Sequence, residues 1–116
     1  MEHKNSDFTS WNVRRLRARR TQLARQLPDV ELTLRGSLQT QSRRCGKAGC
    51  RCAAGELHGP YVYLAVRRGQ RTQLLYIAAD LAAEVERRVE LTSRLEDILA
   101  AISAINLELL ARGELR

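Results

Sequence analysis

A chain of 116 residues is enough for one small domain with an appended helix, and 20 Lys/Arg against 13 Asp/Glu leave a formal charge of +7 that favours polyanionic partners. Three cysteines cannot all pair with one another, which argues against a disulfide framework. No run approaches the roughly 18 apolar residues of a membrane span, and the polar start lacks the apolar stretch of a secretion signal, so a cytoplasmic protein with no membrane partner is expected.

Charge is partitioned along the chain. Residues 1–27 carry +5, 28–42 carry −1, 43–77 carry +6 and 78–116 carry −3. A basic body is thus followed by an acidic, leucine-rich segment, and the two are expected to do different work.

Residues 1–9 are polar and expected to fray. Ser10 is placed to cap a helix over residues 11–27, ended by Pro28. Its apolar positions Trp11, Leu16, Leu23, Ala24 and Leu27 form too thin a stripe for the helix to stand alone. Arg14, Arg15, Arg17, Arg19, Arg20 and Arg25 crowd its other faces. With no local acids for i,i+4 pairing, the first five are read as nucleic-acid contacts. The alternative is pairing with the acidic C-terminal segment.

Residues 36–44 alternate loosely as a short first strand. They lead into Cys45-Gly46-Lys47-Ala48-Gly49-Cys50-Arg51-Cys52, with His58 six residues on, a spacing of C-x4-C-x-C-x5-H. Thiolates and imidazole are the donors of a tetrahedral Cys3His zinc site, so Cys45, Cys50, Cys52 and His58 are the expected ligands. In an extended strand Cys50 and Cys52 would stand about 6.6 Å apart, too far for one ion, so a tight turn is required there. Gly46 and Gly49 loosen the backbone for it, and Gly55, Gly59 and Pro60 let the chain turn back toward the metal. Buried reduced thiols or a redox set are the alternatives, though C-x-C is not the usual C-x-x-C redox spacing. Glu56 is the one carboxylate nearby in sequence, so a structural rather than catalytic metal is expected, with no catalytic residues. Arg43, Arg44, Lys47 and Arg51 interleave with the ligands. Some of them balance thiolate charge, and the surplus suits phosphate contact.

A hairpin follows. Residues 61–67 and 72–77 are β-rich, and a two-residue loop at Gly69-Gln70 pairs Leu64 with Leu75, Val62 with Ile77 and Tyr63 with Tyr76. Moving the loop back one residue would set Leu64 against Gln73, so side-chain matching selects the first register. One face is then aliphatic, and the other carries Tyr63, Tyr76 and Arg67. Arg67, Arg68 and Arg71 mark the hairpin tip as a second phosphate-contacting group. Tyr61, Tyr63 and Tyr76 can stack on bases, with cross-strand packing the favoured role.

A long helix is expected from Ala78 or Asp80, the latter as N-cap, to about residue 111, closed by Gly113. Leu91, Leu95, Ile98, Ile102, Ile105 and Leu109 follow 4-3-4-3-4 spacing, a coiled-coil-like seam. Such a helix spans about 48 Å at 1.5 Å per residue, more than so small a body covers. The seam is therefore read as a homodimer interface, against packing on the N-terminal helix. Val85 and Val89 make a second stripe, expected to face the hairpin.

Gly36-Ser37-Leu38, Cys45-Gly46-Lys47, Cys50-Arg51-Cys52, His58-Gly59-Pro60-Tyr61 and Ile105-Asn106-Leu107-Glu108-Leu109-Leu110 together resemble a family of small uncharacterised prokaryotic proteins with a CGKxxCxC…HGPY core. The resemblance covers residues 36–110, implies one compact unit and no reaction, and leaves the basic N-terminal helix outside the shared core. Similar proteins are often associated with mobile elements.

The expectation is an α+β protein in three segments. Residues 1–35 form a basic helix and connector, 36–79 a zinc-stapled hairpin or three-stranded sheet, and 80–116 a long helix. Its function would be zinc-stabilised nucleic-acid binding, with DNA favoured over RNA, as a regulator or accessory factor of a mobile element. The alternative is an adaptor that binds a larger enzyme through its helices.

Overall fold

The computed structural model describes residues 7–116, apart from the side chains of Cys52 and Ala53. The expected α+β order is observed. Helix α1 (Val13–Ala24) precedes an antiparallel sheet of β1 (Ser37–Arg43), β2 (His58–Arg68) and β3 (Arg71–Ile77), and helix α2 (Ala82–Ala111) follows. The chain divides into two compact units. One is helical, from the N-terminal residues to Leu32 plus Leu91–Arg116, and the other, Thr33–Glu90, holds the sheet. The boundary between them falls within α2, at Glu90/Leu91. Among the described residues no helix is long and apolar enough to cross a membrane.

In the helical unit α1 starts two residues later than expected. Asn12, not Ser10, is the N-cap, its side-chain oxygen accepting from the Arg15 amide at 2.8 Å. Ser10 lies instead in a turn in which the Trp11 amide donates to the Phe8 carbonyl at 3.1 Å. Phe8, read as part of a fraying lead, is buried with its ring edge-on to Trp11 at 5.1 Å. Residues 1–6 of that lead lie outside the described residues.

Phe8, Leu16, Leu23, Ile105 and Leu109 form the core of this unit, with Trp11, Val13, Ile98, Ala101 and Ile102 packed around them. The 4-3-4-3-4 spacing is therefore a real apolar face. Leu91, Leu95, Ile105 and Leu109 are buried, and Ile98 and Ile102 half-buried. Leu16 and Leu23, two helical turns apart, present a matching stripe to the later part of this face, so Ile105 and Leu109, with Ile98 and Ile102 beside them, pack within one chain.

Gly113, at φ 71, ends α2 as expected. The Glu114 amide bonds back to the Leu109 carbonyl at 2.8 Å and the Gly113 amide to that of Leu110 at 3.0 Å, the paired bonds of a Schellman cap. Arg112 donates to the carbonyls of Phe8 at 3.1 Å and Thr9 at 3.2 Å, tying the lead of α1 to the end of α2.

In the sheet unit the hairpin has the register chosen from side-chain matching: Val62 opposite Ile77, Tyr63 opposite Tyr76, Leu64 opposite Leu75, with Gly69-Gln70 as the loop. β1 adds to the other edge of β2 and places Leu38 against Leu64. By alternation one face carries Leu38, Val62, Leu64, Val66, Leu75 and Ile77, with Leu64 only 3% exposed. The opposite face carries Tyr61, Tyr63, Tyr76 and Arg67.

The chain enters α2 through a 3-10 turn, Ala79–Leu81, behind Ala78. Asp80 is inside that turn rather than capping it, and Ala78 offers no side-chain cap. The first turn of α2 carries Glu84, which accepts from Arg87 and Arg88, each at 2.7 Å. Those two guanidiniums hold its carboxyl below the usual range. The pairs are intact at neutral pH and are lost as pH falls through that lowered value.

Candidate metal centre and its basic surround

The centre is built by strand pairing. Arg43 at the end of β1 sits opposite His58 at the start of β2, after a register shift between Gln41 and Arg43. The ladder therefore closes the loop of residues 44–57 and fixes Cys45 and His58 near each other. Cys50 is returned to them by a turn in which its amide bonds to the Lys47 carbonyl at 3.3 Å, with Gly49 at φ 82 in the third position. Gly46 has no such φ. A 3-10 turn, Arg51–Ala54, follows at once, so the segment after Cys50 is tight, as the spacing requires.

Cys45, Cys50 and His58 place their ligand atoms within 4.8 Å of one another. His58 Nε2 is 3.1 Å from Cys50 Sγ and 3.2 Å from Cys45 Sγ. Both sulfurs are within hydrogen-bond reach of the one ring nitrogen, as in a three-centre bond, and the same convergence of donor atoms suits a shared cation. These residues are close enough to hold a metal ion. The fourth expected ligand, Cys52, has its side chain outside the described residues. Glu56 is exposed and is not part of the cluster.

Gly59 sets the position of His58. Its φ is 112, and a Cβ there would stand 2.9 Å from the Gln41 carbonyl oxygen and 3.0 Å from the Tyr61 amide. A methyl group would push β1 away from β2 at the point where the ladder presents the imidazole. Gly59→Ala should destabilise the unit by about 1–3 kcal/mol of backbone strain and weaken metal retention, as read by competition with a chromogenic chelator.

An open depression of about 340 Å³ adjoins the cluster, lined by Arg43, Lys47 and Tyr61 together with Cys45, Cys50 and His58. Arg43 donates to Tyr63 Oη and to Gln41 Oε1, the latter at 3.3 Å. Its guanidinium carbon lies 5.9 Å from the centroid of Tyr61 and 5.5 Å from that of Tyr63. Arg44, Lys47, Arg51, Arg67, Arg68 and Arg71 are exposed, and none has a partner among the described residues.

The arginines of α1 divide into two groups. Arg17 binds the backbone carbonyl of Glu114 at 3.0 Å and its carboxylate at 3.4 Å. Arg20 binds Asn106 at 2.7 Å and the Arg116 carbonyl. These two make the C-terminal pairing weighed as the alternative. Arg15 lies over the Trp11 ring, 3.6 Å from its centroid, and Arg19 bonds to Gln22 at 2.8 Å. Arg14 is exposed, with no partner among the described residues.

A family model described as "Domain of unknown function (DUF6788)" matches residues 13–87. The matched stretch includes α1, which the sequence resemblance left outside, and stops short of residues 105–110. No curated protein and no solved structure matches the chain.

Proposed function

The chain belongs to this family of unknown function, and we propose that it is a zinc-stapled nucleic-acid-binding protein without catalytic activity. The observation that carries the reading is the set of six exposed cations, Arg44, Lys47, Arg51, Arg67, Arg68 and Arg71. They sit around the metal cluster and at the hairpin tip, and no described residue neutralises them. Phosphate is the natural partner of cations left in this state.

Two thiolates and an imidazole suit zinc among the common ions. Zinc with sulfur at about 2.3 Å and nitrogen at about 2.0–2.1 Å in a tetrahedron sets S and N roughly 3.6 Å apart. The 3.1 and 3.2 Å separations need to open by only a few tenths of an ångström. In this reading Cys52 supplies the fourth thiolate and closes the site to substrate, so the metal holds the turn and the surrounding cations do the binding. DNA is favoured over RNA if the mobile-element association implied by the sequence resemblance holds for this chain.

The test is an anisotropy titration of labelled DNA against salt. About five phosphate contacts should give a slope of roughly −4 to −5 in log K against log salt on duplex. The triple variant R67A/R68A/R71A should weaken binding across sequences and flatten the slope by about 2–3. Absence of binding, or a flat line for the parent protein, would overturn the proposal.

One observation favours the adaptor as a second reading. Leu99, Leu107 and Leu110 of α2 are 49%, 62% and 57% exposed. They share a sector of roughly 80° at 3.6 residues per turn, well round from the filled seam. A second copy or a larger protein would dock there.

A further inference from the structure

Tyr76 stands between two other tyrosines on one face of the sheet, its ring centroid 5.9 Å from that of Tyr63 and 6.4 Å from that of Tyr61. Tyr61 and Tyr63 are half-buried, whereas Tyr76 is 60% exposed. Ala65 is buried on this face, but the face also carries exposed side chains. The aliphatic face with the buried Leu64 is on the other side, and around the tyrosines stand the exposed Gln39, Arg67 and Leu74. Arg43 lies over Tyr61 and Tyr63 and hydrogen-bonds the Tyr63 hydroxyl, fixing the two rings that Tyr76 leans on. Positive charge stands at both ends of the face: Arg43 and Lys47 line the depression that includes Tyr61, and Arg67, Arg68 and Arg71 occupy the hairpin tip.

We propose that this face is a stacking platform for the unpaired bases of a single-stranded nucleic acid. The inference rests on the nucleic-acid reading above and specifies which form of the polymer is bound. A duplex keeps its base faces stacked internally and shows only their edges in its grooves, so exposed rings on a sheet gain nothing from it. A single strand presents π-faces that stack on tyrosine whatever the base, while its phosphates meet the flanking cations. The depression of about 340 Å³ lies within the usual volume of small-ligand sites, enough for one nucleotide beside Tyr61.

The experiment uses the full-length, metal-loaded protein with three labelled probes: a short oligothymidylate, an oligouridylate of equal length, and a DNA duplex of that length. Both single strands should bind at least about tenfold more tightly than the duplex, since each stacked base contributes on that order. Tyr76→Ala should lose about tenfold on the single strands, with duplex affinity and salt slope unchanged. Tyr76→Phe, which keeps the ring and removes the hydroxyl, should bind as the parent does. Because Tyr76 is exposed, metal content and melting temperature should be unchanged in both variants, which separates lost stacking from lost folding. The two single-strand arms decide between DNA and RNA as the preferred source of the bases. Equal affinity for duplex and single strand, with Tyr76→Ala indistinguishable from the parent, would overturn the platform and leave the charge-based reading standing. No binding to any of the three probes would overturn both.

Discussion

Chelation will unfold the sheet unit and spare the helical one. Within residues 33–90 the described buried apolar side chains are Leu64 and Ala65 alone, whereas the helical unit buries Phe8, Leu16, Leu23, Ile105 and Leu109. A unit with so little core would depend on a metal bound at its cluster. A metal closing the loop from Cys45 to His58 would contribute about 3 kcal/mol by chain entropy alone, and structural zinc contributes more, on the order of 10 kcal/mol in small peptides. Elemental analysis should find about one zinc per chain. On adding a strong chelator, amide exchange protection should vanish from β1 and β2 while the helical circular dichroism of α1 and the later part of α2 persists. Cys50→Ser should reproduce the apo behaviour. Retention of full metal content by that variant would refute the ligand set, and unchanged strand protection in the apo protein would refute the staple.

The second large effect belongs to the helical core. Ile105 and Leu109 are fully buried against Leu16 and Leu23, so Ile105→Ala should cost about 2–5 kcal/mol, a sizeable part of a total near 5–15 kcal/mol. Urea melts will measure it. The same melts separate the two roles of the seam. If the stripe is satisfied within one chain, the midpoints of parent and variant stay fixed over a wide range of protein concentration. If it joins two chains, both midpoints rise with concentration by mass action.

The parts legible in the sequence were those decided by local chemistry. The hairpin register follows from matching Leu64 with Leu75 and Tyr63 with Tyr76, since a slip of one residue turns every side chain to the other face. The cluster of Cys45, Cys50 and His58 could be read because soft donors are few in this chain and lie close together. What could not be read depends on partners distant in sequence. A 4-3-4-3-4 stripe reports that a face is apolar and does not report which surface fills it. Here Leu16 and Leu23 fill its later part, at Ile105 and Leu109, from some 80 or more residues upstream. Phe8 looked like part of a polar tail because the groups that hold it, Trp11 beside it and the guanidinium of Arg112, are seen only once the two ends of the chain meet. Counting arginines on α1 likewise could not separate Arg17 and Arg20, bound by the C-terminal residues, from the exposed Arg14. The start of α1 was missed by two residues for a simpler reason. Ser10 and Asn12 are both good caps, and the turn from Phe8 to Trp11 decides between them.

That the helical unit draws on both ends of the chain bears on the order of events during synthesis. Leu109 follows Leu23 by 86 residues, an interval of roughly 4–17 s at about 5–20 residues per second. Throughout it α1 has been made while the surface that completes its core has not. The intervening residues 33–90 are translated within that interval and contain every described ligand of the metal cluster. The sheet and its candidate metal cluster can thus form while the nascent chain is still growing. The arginine-rich helix, with Arg17 and Arg20 not yet claimed, stays an unfinished cationic segment until residues 105–114 emerge.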